Sequence, residues 1–200
     1  MALREVRVMG DPILEKKCKP VKLMTPRLME LIEDMLDTMY EENGVGLAAP
    51  QVGVLRQIVV IDIEGSVVED EEEVDDEALD DAAVESEGSS EEKKVRDATD
   101  SEFNSKVEFP LVLINPVIVE TAGEQTGAEG CLSLPGKVGT VTRPNYVKVK
   151  ALGPDMKEFT VEGDGLLARA LCHEIDHLEG HMYVEKVEGP IRDVEVEQDS

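Results

Sequence analysis

The sequence predicts an α+β fold in which mixed or antiparallel β-sheets pack around a central buried helix. Three observations support this prediction: an amphipathic helix near the N-terminus, short apolar segments with strand character in the middle, and a helix near the C-terminus that is apolar on two faces. Strands gathered between helices, instead of alternating with them, are typical of this class. Because 200 residues suit one domain and 41% of them are hydrophobic, we expect a single domain, residues 1–200, with a substantial core.

The first helix is predicted from Thr25 to Glu42. Thr25 is a suitable N-cap, Pro26 suits the first turn, and Asn43-Gly44 tolerates the left-handed backbone that ends a helix. The apolar residues recur at the spacing of one helix face, which we expect to enter the core. This face comprises Leu28, Leu31, Ile32, Met35, Leu36 and Met39.

A glycine-rich segment, residues 44–53, follows this helix and contains one polar side chain, the amide of Gln51. Glycines let a backbone approach a ligand closely, and the amide can donate hydrogen bonds to an oxygen. An ordinary connection between two elements explains the segment equally well. The strand predicted next, from Gln57 to Ile63, is almost continuously apolar and is therefore expected to be buried on both faces.

An acidic insertion is predicted at about residues 64–106. Between Glu64 and Glu102 there are 18 acidic and three basic residues, with few large apolar ones. Such a composition cannot bury enough surface to offset the entropy of ordering, so we predict a flexible segment whose removal leaves the fold intact. A calcium loop or a docking tail for a basic partner are alternatives, although the segment does not match the EF-hand ligand pattern. A second acidic segment, at about residues 187–200, is predicted to be a C-terminal tail.

Four strands are predicted between the insertion and the last helix. Apolar residues alternate with lysines over residues 146–151, which is typical of a half-buried strand. Pro110 and Pro116 indicate edges or bulges in the first of the four, because proline cannot donate a hydrogen bond to the sheet. The predicted strands lie around Phe109–Val119, Val138–Val141, Tyr146–Lys150 and Lys157–Glu162.

The last helix is predicted from Asp164 to Glu179, with Gly180 as its terminator. Two apolar stripes run along it, so it should be buried with its histidines pointing into the interior. Residues 173–177 have the form H-E-x-x-H. Histidines four residues apart lie on one helix face and can bind one metal ion, and Glu174 is placed to act on water held by that ion. A chance arrangement of polar residues is the alternative, but two of the three histidines in the chain fall here.

A catalytic zinc-type site usually holds three protein ligands, so a third one is required. In metzincins it is a histidine six residues after the second, where this chain has Tyr183, and His181 comes two residues too early. Other zincins use a downstream glutamate, for which Glu185 and Glu188 have no supporting motif. Cys131, in a Gly-Cys-Leu-Ser turn, is the better candidate, because thiolate is a strong ligand for iron or zinc.

The bulk composition argues against several other classes of protein. The net charge of −25 is opposite to that of a general nucleic-acid binder, which needs basic patches. The three cysteines are odd in number and widely spaced, which fits a reducing compartment better than a disulfide framework. Residues 1–6 lack the apolar region of a secretion signal, and no apolar run approaches the length of a membrane span. We therefore expect a cytoplasmic protein that binds neither nucleic acid nor membrane.

Three segments together resemble the motifs of the peptide deformylase family, which are G-x-G-L-A-A-x-Q, E-G-C-L-S and H-E-x-x-H. They occur here, complete and in the family's order, as residues 44–51, 129–133 and 173–177. The likeness covers about residues 1–63 and 109–184. It implies a hydrolase of protein biosynthesis that removes the N-formyl group from the N-terminal formyl-methionine of nascent proteins and releases formate.

The resemblance also implies the ligands of one divalent metal ion. Cys131, His173 and His177 would bind it, with Fe(II) as the native metal and zinc, nickel or cobalt able to take its place.

Roles in the reaction are implied in the same way. Glu174 would activate the water held by the metal ion, while the Gln51 amide and the backbone N–H of Leu132 would stabilise the oxyanion. The cleft for N-formyl-methionyl peptides would be lined by Val45, Gly46 and Gly130.

The chain departs from the family pattern in two places. Cys172 precedes the first motif histidine, where the family usually has glutamine, so a supporting contact is expected to differ. Bacterial members often end in a basic helix that docks on the ribosome, whereas residues 187–200 here are acidic and interrupted by Pro190. Transient ribosome association is implied by the family, but this end leaves its docking mode open. Arg143 matches a family arginine and is interpreted as structural.

Two alternatives to a deformylase are a zincin-type metalloprotease and an inactive metal-binding relative. The protease would be favoured by H-E-x-x-H alone, but Tyr183 occupies the position of the metzincin ligand. A closed structural site would need a fourth ligand, and Cys18, the remaining cysteine candidate, lies in no zinc-like spacing.

Overall fold

The computed structural model describes residues 2–70 and 94–194, with side chains left undescribed at residues 67–70 and 94–96. Within these ranges it contains two α-helices, α1 (Pro26–Glu41) and α2 (Gly165–Glu179). The ten strands are β1 (Gly46–Ala48), β2 (Ile58–Ile61), β3 (Val67–Asp70), β4 (Lys94–Asp97), β5 (Leu111–Ala122), β6 (Gln125–Cys131), β7 (Leu134–Arg143), β8 (Tyr146–Leu152), β9 (Glu158–Asp164) and β10 (Val187–Asp193).

The strands form antiparallel sheets, and the two larger ones both contact helix α2. Five strands follow the order β1-β2-β5-β8-β9, three follow the order β10-β7-β6, and β3 pairs with β4 alone. Strand β2 is buried along its whole length, as its continuous apolar sequence predicts. The register of β5 against β8 shifts between Ile114 and Val117, which is the bulge expected at Pro116.

Helix α1 covers one face of the five-stranded sheet. The Thr25 hydroxyl accepts a hydrogen bond from the backbone N–H of Leu28 at 3.3 Å, so the predicted cap is present. The predicted apolar face is buried at Leu31, Ile32, Met35 and Met39. These side chains pack with Leu47, Ile58, Val60 and Ile114 in one of the two clusters of the core.

Helix α2 lies at the centre of the molecule and contacts both larger sheets. Leu167, Leu171 and Leu178 are at most 1% exposed, in a second core cluster with residues of β2, β8 and β9. The helix ends at Gly180 with a φ of 87°, and a Cβ there would lie 2.7 Å from the backbone of Glu15. The terminator predicted from the sequence is therefore also a point of close chain approach.

The α+β fold with a central buried helix is thus confirmed, and five strands are additions to the prediction: β1, β6 and β10, together with β3 and β4, which pair inside the segment predicted to be a flexible insertion. The sequence predicts a glycine-rich connection or ligand-binding segment at β1 and an acidic tail at β10, and it predicts no element for most of β6. β1 and β6 contain glycines, which have low strand propensity, and all three are held by pairing with another strand: β1 with β2, β6 with β7 and β10 with β7. The turn predicted at Gly-Cys-Leu-Ser is present at Leu132 and Ser133, between Cys131 as the last residue of β6 and Leu134 as the first of β7.

The acidic insertion lies only partly within the described residues, since 71–93 fall outside them, as do residues 195–200 of the C-terminal segment. The part that follows β4 contacts the core. Ala98 is 6% exposed, and the Asn104 side chain donates to the Ala98 carbonyl at 2.9 Å and accepts from the Asp164 N–H at 3.1 Å. We infer that the core resumes at Ala98, before the predicted end of the insertion. Among the described residues, no helix is long and apolar enough to cross a membrane.

Candidate metal centre and active site

Three side chains from two separate elements converge beside helix α2. His173 and His177 lie one turn apart on the helix, and Cys131 is the last residue of β6. The Nε2 atom of His177 lies 3.2 Å from Nε2 of His173 and 3.3 Å from Sγ of Cys131. The candidate ligand atoms of all three residues lie within 4.8 Å of one another. The fold therefore brings the predicted ligands together.

The chemistry of this donor set fits a metal ion. Two imidazoles and a thiol suit iron, zinc, cobalt or nickel better than magnesium or calcium. Both histidines are buried, and burial holds the pKa of His177 well below its usual range, so its ring stays in the neutral form that binds metals. Three facing donor atoms at these distances, two of them on buried histidines, are readily explained by a shared cation.

Glu174 lies next to these residues, with its carboxyl group buried. It is 4% exposed, and its Oε2 atom has no hydrogen-bond partner among the described residues. Burial disfavours the charged form and raises the pKa of Glu174 to about 7. A buried carboxyl with a free oxygen beside a metal site is suited to transferring a proton.

Gly46, on the short strand β1, leaves the space that Glu174 occupies. A Cβ added to Gly46 would lie 2.6 Å from Oε1 of Glu174 and 2.9 Å from its Cδ. The backbone of the glycine-rich segment therefore lies directly against the carboxylate. The interpretation of this segment as an ordinary connection is wrong, since it forms one wall of the site.

The orientation of the Gln51 amide is set by the backbone. Its Oε1 accepts a hydrogen bond from the Ala48 N–H at 2.8 Å, so the NH₂ group faces the other way. That group donates to Oγ of Ser133 at 3.1 Å and lies 3.5 Å from Sγ of Cys131. The amide thus presents donors next to the candidate metal ligands.

A cleft of about 480 Å³ opens onto these groups, which is a suitable size for a short peptide segment. The remaining residues predicted for the site line it. They are Val45 and Gly46 from the glycine-rich segment, and Gly130 and Leu132 from the end of β6 and the turn after it. Val194, which directly follows β10, also lines the cleft, a position that the sequence did not indicate.

The residues considered as alternative ligands lie elsewhere. Tyr183 stacks against His173 with ring centroids 5.9 Å apart and donates its hydroxyl to the Lys137 carbonyl, so it fills the metzincin position without contributing a ligand. His181 is exposed and pairs with Glu185. Cys18 and Cys172 lie in the core, where burial raises the pKa of each thiol to about 11.

Glu129 belongs to the site but was singled out by the sequence only as part of a motif. Its Oε2 lies 3.1 Å from Nδ1 of His173, and it is clamped by two arginines, Arg143 and Arg169. Burial opposes its ionisation, but hydrogen bonds from His173 and Arg143 hold the pKa of Glu129 well below its usual range. The signal that could have revealed this network is Arg169, a lone base inside an apolar helix, which must have a buried partner.

A family model described as polypeptide deformylase matches residues 3–192. The chain belongs to this family. The peptide deformylases of Agathobacter rectalis and Lachnoclostridium phytofermentans are 51% identical over 197 residues and 52% identical over 194 residues. The matches cover 98% of this chain and 98% of the first relative, and 97% and 94% for the second.

Solved structures of deformylases share the same fold. The enzyme from Legionella pneumophila superposes with a TM-score of 0.70 at 37% identity, covering 94% of this chain and 87% of the other. The enzyme from Synechococcus elongatus, solved in complex with actinonin, gives a TM-score of 0.69 at 33% identity, with coverages of 93% and 79%. Family membership makes this chain a metal-dependent hydrolase that removes the N-formyl group from nascent proteins. The metalloprotease and inactive-relative alternatives find no support.

Proposed function

We propose that this deformylase holds one divalent metal ion through Cys131, His173 and His177, with Fe(II) as the native metal and zinc, nickel or cobalt as substitutes. The observation that carries the proposal is the convergence of these three donors beside the buried carboxyl of Glu174. When bound, the metal supplies Lewis-acid chemistry, which polarises the formyl carbonyl and lowers the pKa of water toward about 7.

Glu174 moves the proton in this proposal. Its carboxylate accepts a proton from the attacking water and delivers it to the nitrogen of the departing amine, so that formate and a free N-terminus are released. General acid–base catalysis of this kind typically contributes about 100- to 10,000-fold in rate. The buried carboxyl and its unpaired Oε2 support this role.

Gln51 and Leu132 stabilise the charge that develops on the formyl oxygen. The NH₂ group of Gln51 is fixed by the Ala48 N–H, and the backbone N–H of Leu132 supplies a second donor. Loss of one such donor typically costs on the order of 100- to 1,000-fold in rate. Val45, Gly46 and Gly130 line the cleft and hold the formyl-methionyl peptide.

The site of action follows from the substrate. Nascent chains are available where proteins are synthesised, so we place the enzyme in the cytoplasm, with transient ribosome association. Val187–Asp193 forms strand β10 against β7, so docking by a helix in this segment is not part of the proposal.

The test is formate release from a short formyl-methionyl peptide by protein purified without oxygen, with an unformylated peptide as the control. We expect Glu174→Gln to keep one metal ion per chain while losing at least about 100-fold in turnover. Cys131→Ala should lose the metal. A Cys131→Ala variant that retained both metal and turnover would show that the ligand set is different.

A further inference from the structure

The ligands of the candidate metal centre come from two elements that are far apart in the sequence and meet only through packing and hydrogen bonds. Cys131 ends strand β6, whereas His173 and His177 are on helix α2. A few tenths of an ångström of slippage between helix and strand would change the distance between thiol and imidazoles. Something must therefore fix the helix against the three-stranded sheet next to the ligands.

Arg169 lies where such a connection is needed. It is on α2, one turn before His173, and its side chain is only 9% exposed. Its Nη1 donates to Oε1 of Glu129 at 3.0 Å and to the Val141 carbonyl at 3.0 Å, while Nη2 donates to the Gln125 carbonyl at 3.4 Å. A single helical side chain thus binds both β6 and β7.

The strand backbone makes room for this guanidinium. A Cβ added to Gly127 on β6 would lie 3.2 Å from Nη2 of Arg169, which is tighter than an ordinary contact. Arg169 also lines both the active-site cleft and a neighbouring cavity, so its side chain forms part of the partition between them. The guanidinium group of Arg169 therefore occupies a buried position that the strand backbone is shaped to accept.

Glu129 carries the connection onward to the ligands. It lies two residues before Cys131 on β6, and its Oε2 pairs with Nδ1 of His173. A carboxylate on one ring nitrogen of a histidine fixes the tautomer and the ring orientation, which leaves the other nitrogen for the metal. Here that other nitrogen is the Nε2 atom that faces His177.

A second arginine completes the network and balances its charge. Arg143 on β7 donates to both oxygens of Glu129, at 3.0 and 2.9 Å, and to Oδ2 of Asp176 at 2.6 Å. Two guanidinium groups therefore face two carboxylates. Asp176 also pairs with Lys186, so removing Arg169 would not unbalance the charges but would take one of its two donors from the buried Oε1 of Glu129, an unfavourable change in a poorly hydrated interior.

We propose that Arg169 is a positioning residue that holds Glu129 against His173 and thereby fixes the helix and the strand that carry the metal ligands relative to each other. It is not one of the proposed metal ligands, and it acts through Glu129. This inference rests on the ligand set proposed above.

The experiment compares Arg169→Met and Arg169→Lys with the unchanged full-length chain. Binding of Co(II) to metal-free protein is measured by competition with a chelator, and the visible absorption of the bound Co(II) reports on the geometry of its ligands. We expect Arg169→Met to weaken Co(II) binding by about 10- to 100-fold and to alter the spectrum. Arg169→Lys keeps the charge but not the planar guanidinium group, so its Co(II) affinity should lie between those of Arg169→Met and the unchanged chain.

Leu178→Ala is the matched control, since it removes a buried side chain from the same helix without touching the network. It should lower the melting temperature while leaving the Co(II) affinity and spectrum unchanged. A second control is Glu129→Gln. If Arg169 acts through Glu129, adding Arg169→Met to Glu129→Gln should weaken Co(II) binding by much less than it does alone.

Several outcomes would overturn the inference. The first is an Arg169→Met variant with normal Co(II) affinity and spectrum. The second is a loss of Co(II) affinity in Arg169→Met no larger than that in Leu178→Ala when both variants are equally destabilised. The third is a loss of Co(II) affinity that adds fully to the loss caused by Glu129→Gln. If Arg169→Met does not fold, the same Co(II) measurements are made on Arg169→Lys, after its circular dichroism spectrum has shown that it is folded. Cys131→Ala separates the two proposals, because retention of Co(II) by that variant would contradict the ligand set itself.

Discussion

Gly46 has a steric role beside the proposed proton carrier. The space that its missing Cβ would fill is occupied by the carboxyl group of Glu174, at distances of 2.6 to 2.9 Å. Glu174 is 4% exposed and lines the cleft, so a Cβ at Gly46 would push its carboxyl group away from its position beside the metal ligands. The glycine is therefore required for close approach and not for an unusual backbone angle.

We expect Gly46→Ala to displace the Glu174 carboxyl and to lower turnover by on the order of 100-fold, since a misplacement of about 1 Å can have an effect of this size. Metal content should remain at one ion per chain, because Gly46 is not part of the ligand set. Formate release and metal analysis of the purified variant measure both.

A double variant provides the control for this prediction. In a Glu174→Gln background there is no proton carrier left to displace, so adding Gly46→Ala should reduce turnover little further. A full additional loss of about 100-fold would show instead that Gly46 acts mainly through binding of the substrate backbone.

Local spacing explains which site residues could be predicted from the sequence. His173, Glu174 and His177 follow from the geometry of one helix turn, and Gln51 and Cys131 were found because complete motifs surround them. The clamp on Glu129 could not be predicted in the same way. Its partners Arg143 and Arg169 are 14 and 40 residues distant, and only the pairing of β6 with β7 and the packing of α2 bring them together.

At the scale of elements, prediction succeeded where the signal was periodic. Both helices were predicted to within about one residue, because amphipathic spacing and terminal glycines are local signals. Strands β1 and β6 were missed because Gly46, Gly127 and Gly130 give them no apolar alternation. Their strand conformation comes from their partners in the sheet, which the sequence of each segment does not contain.

Helix α1 is tied to the N-terminal segment by one buried carboxylate. Asp34 accepts hydrogen bonds from the Ala2 N–H at 2.8 Å and from the Arg4 guanidinium at 2.8 and 3.0 Å. The Ala2 hydrogen bond is the main cause that lowers the pKa of Asp34 below its ordinary value, and Arg4 lowers it further despite the opposing effect of burial. The ionised form is therefore favoured in the folded state.

This lowered pKa gives a stability that depends on pH. Because the folded pKa lies below the unfolded value of about 3.9, the contribution is fully present at higher pH and is lost as the pH falls through the folded pKa. We expect Asp34→Asn to lower the free energy of unfolding of metal-free protein by about 1–3 kcal/mol at pH 7. The difference should narrow steadily below about pH 4. Urea unfolding of both proteins at pH 7 and at pH 3 measures this difference in the free energy of unfolding.

The exposed Glu33 on the same helix is the control, and Glu33→Gln should change the free energy of unfolding little at either pH. If the gap between Asp34→Asn and the unchanged protein stayed constant from pH 7 to pH 3, the carboxylate charge would not be the source of the stabilisation.

At the scale of the whole molecule, the negative charge is unevenly distributed along the sequence. Of the 45 acidic residues, 18 lie between Glu64 and Glu102, and the site is built from segments on either side of that stretch. The charge balance within the site is different, because the buried carboxylate of Glu129 and the half-buried carboxylate of Asp176 are matched by Arg143, Arg169 and Lys186. The net charge of the chain therefore says little about the electrostatics of its active site.

Strands β3 and β4 define where a shortened insertion could be closed. Asp70 pairs with Lys94 in antiparallel register, so a two-residue Asn-Gly turn can join them in place of residues 71–93. We expect this replacement to leave formate release unchanged and the melting temperature within about 4 °C, the shift that 1 kcal/mol produces in a domain of this size. Differential scanning calorimetry of the metal-free protein measures the latter.

A larger deletion, from Gly65 to Ser105, should behave differently, although composition alone predicts that the whole acidic segment is dispensable. It removes Ala98 from the core and the Asn104 side chain from its hydrogen bonds to Ala98 and Asp164, next to the start of helix α2. Loss of buried hydrogen bonds and apolar contacts on this scale should cost at least about 2 kcal/mol and lower the melting temperature by about 5 °C or more. Equal melting temperatures for the two deletions would place the boundary of the core after Ser105 instead of before Ala98.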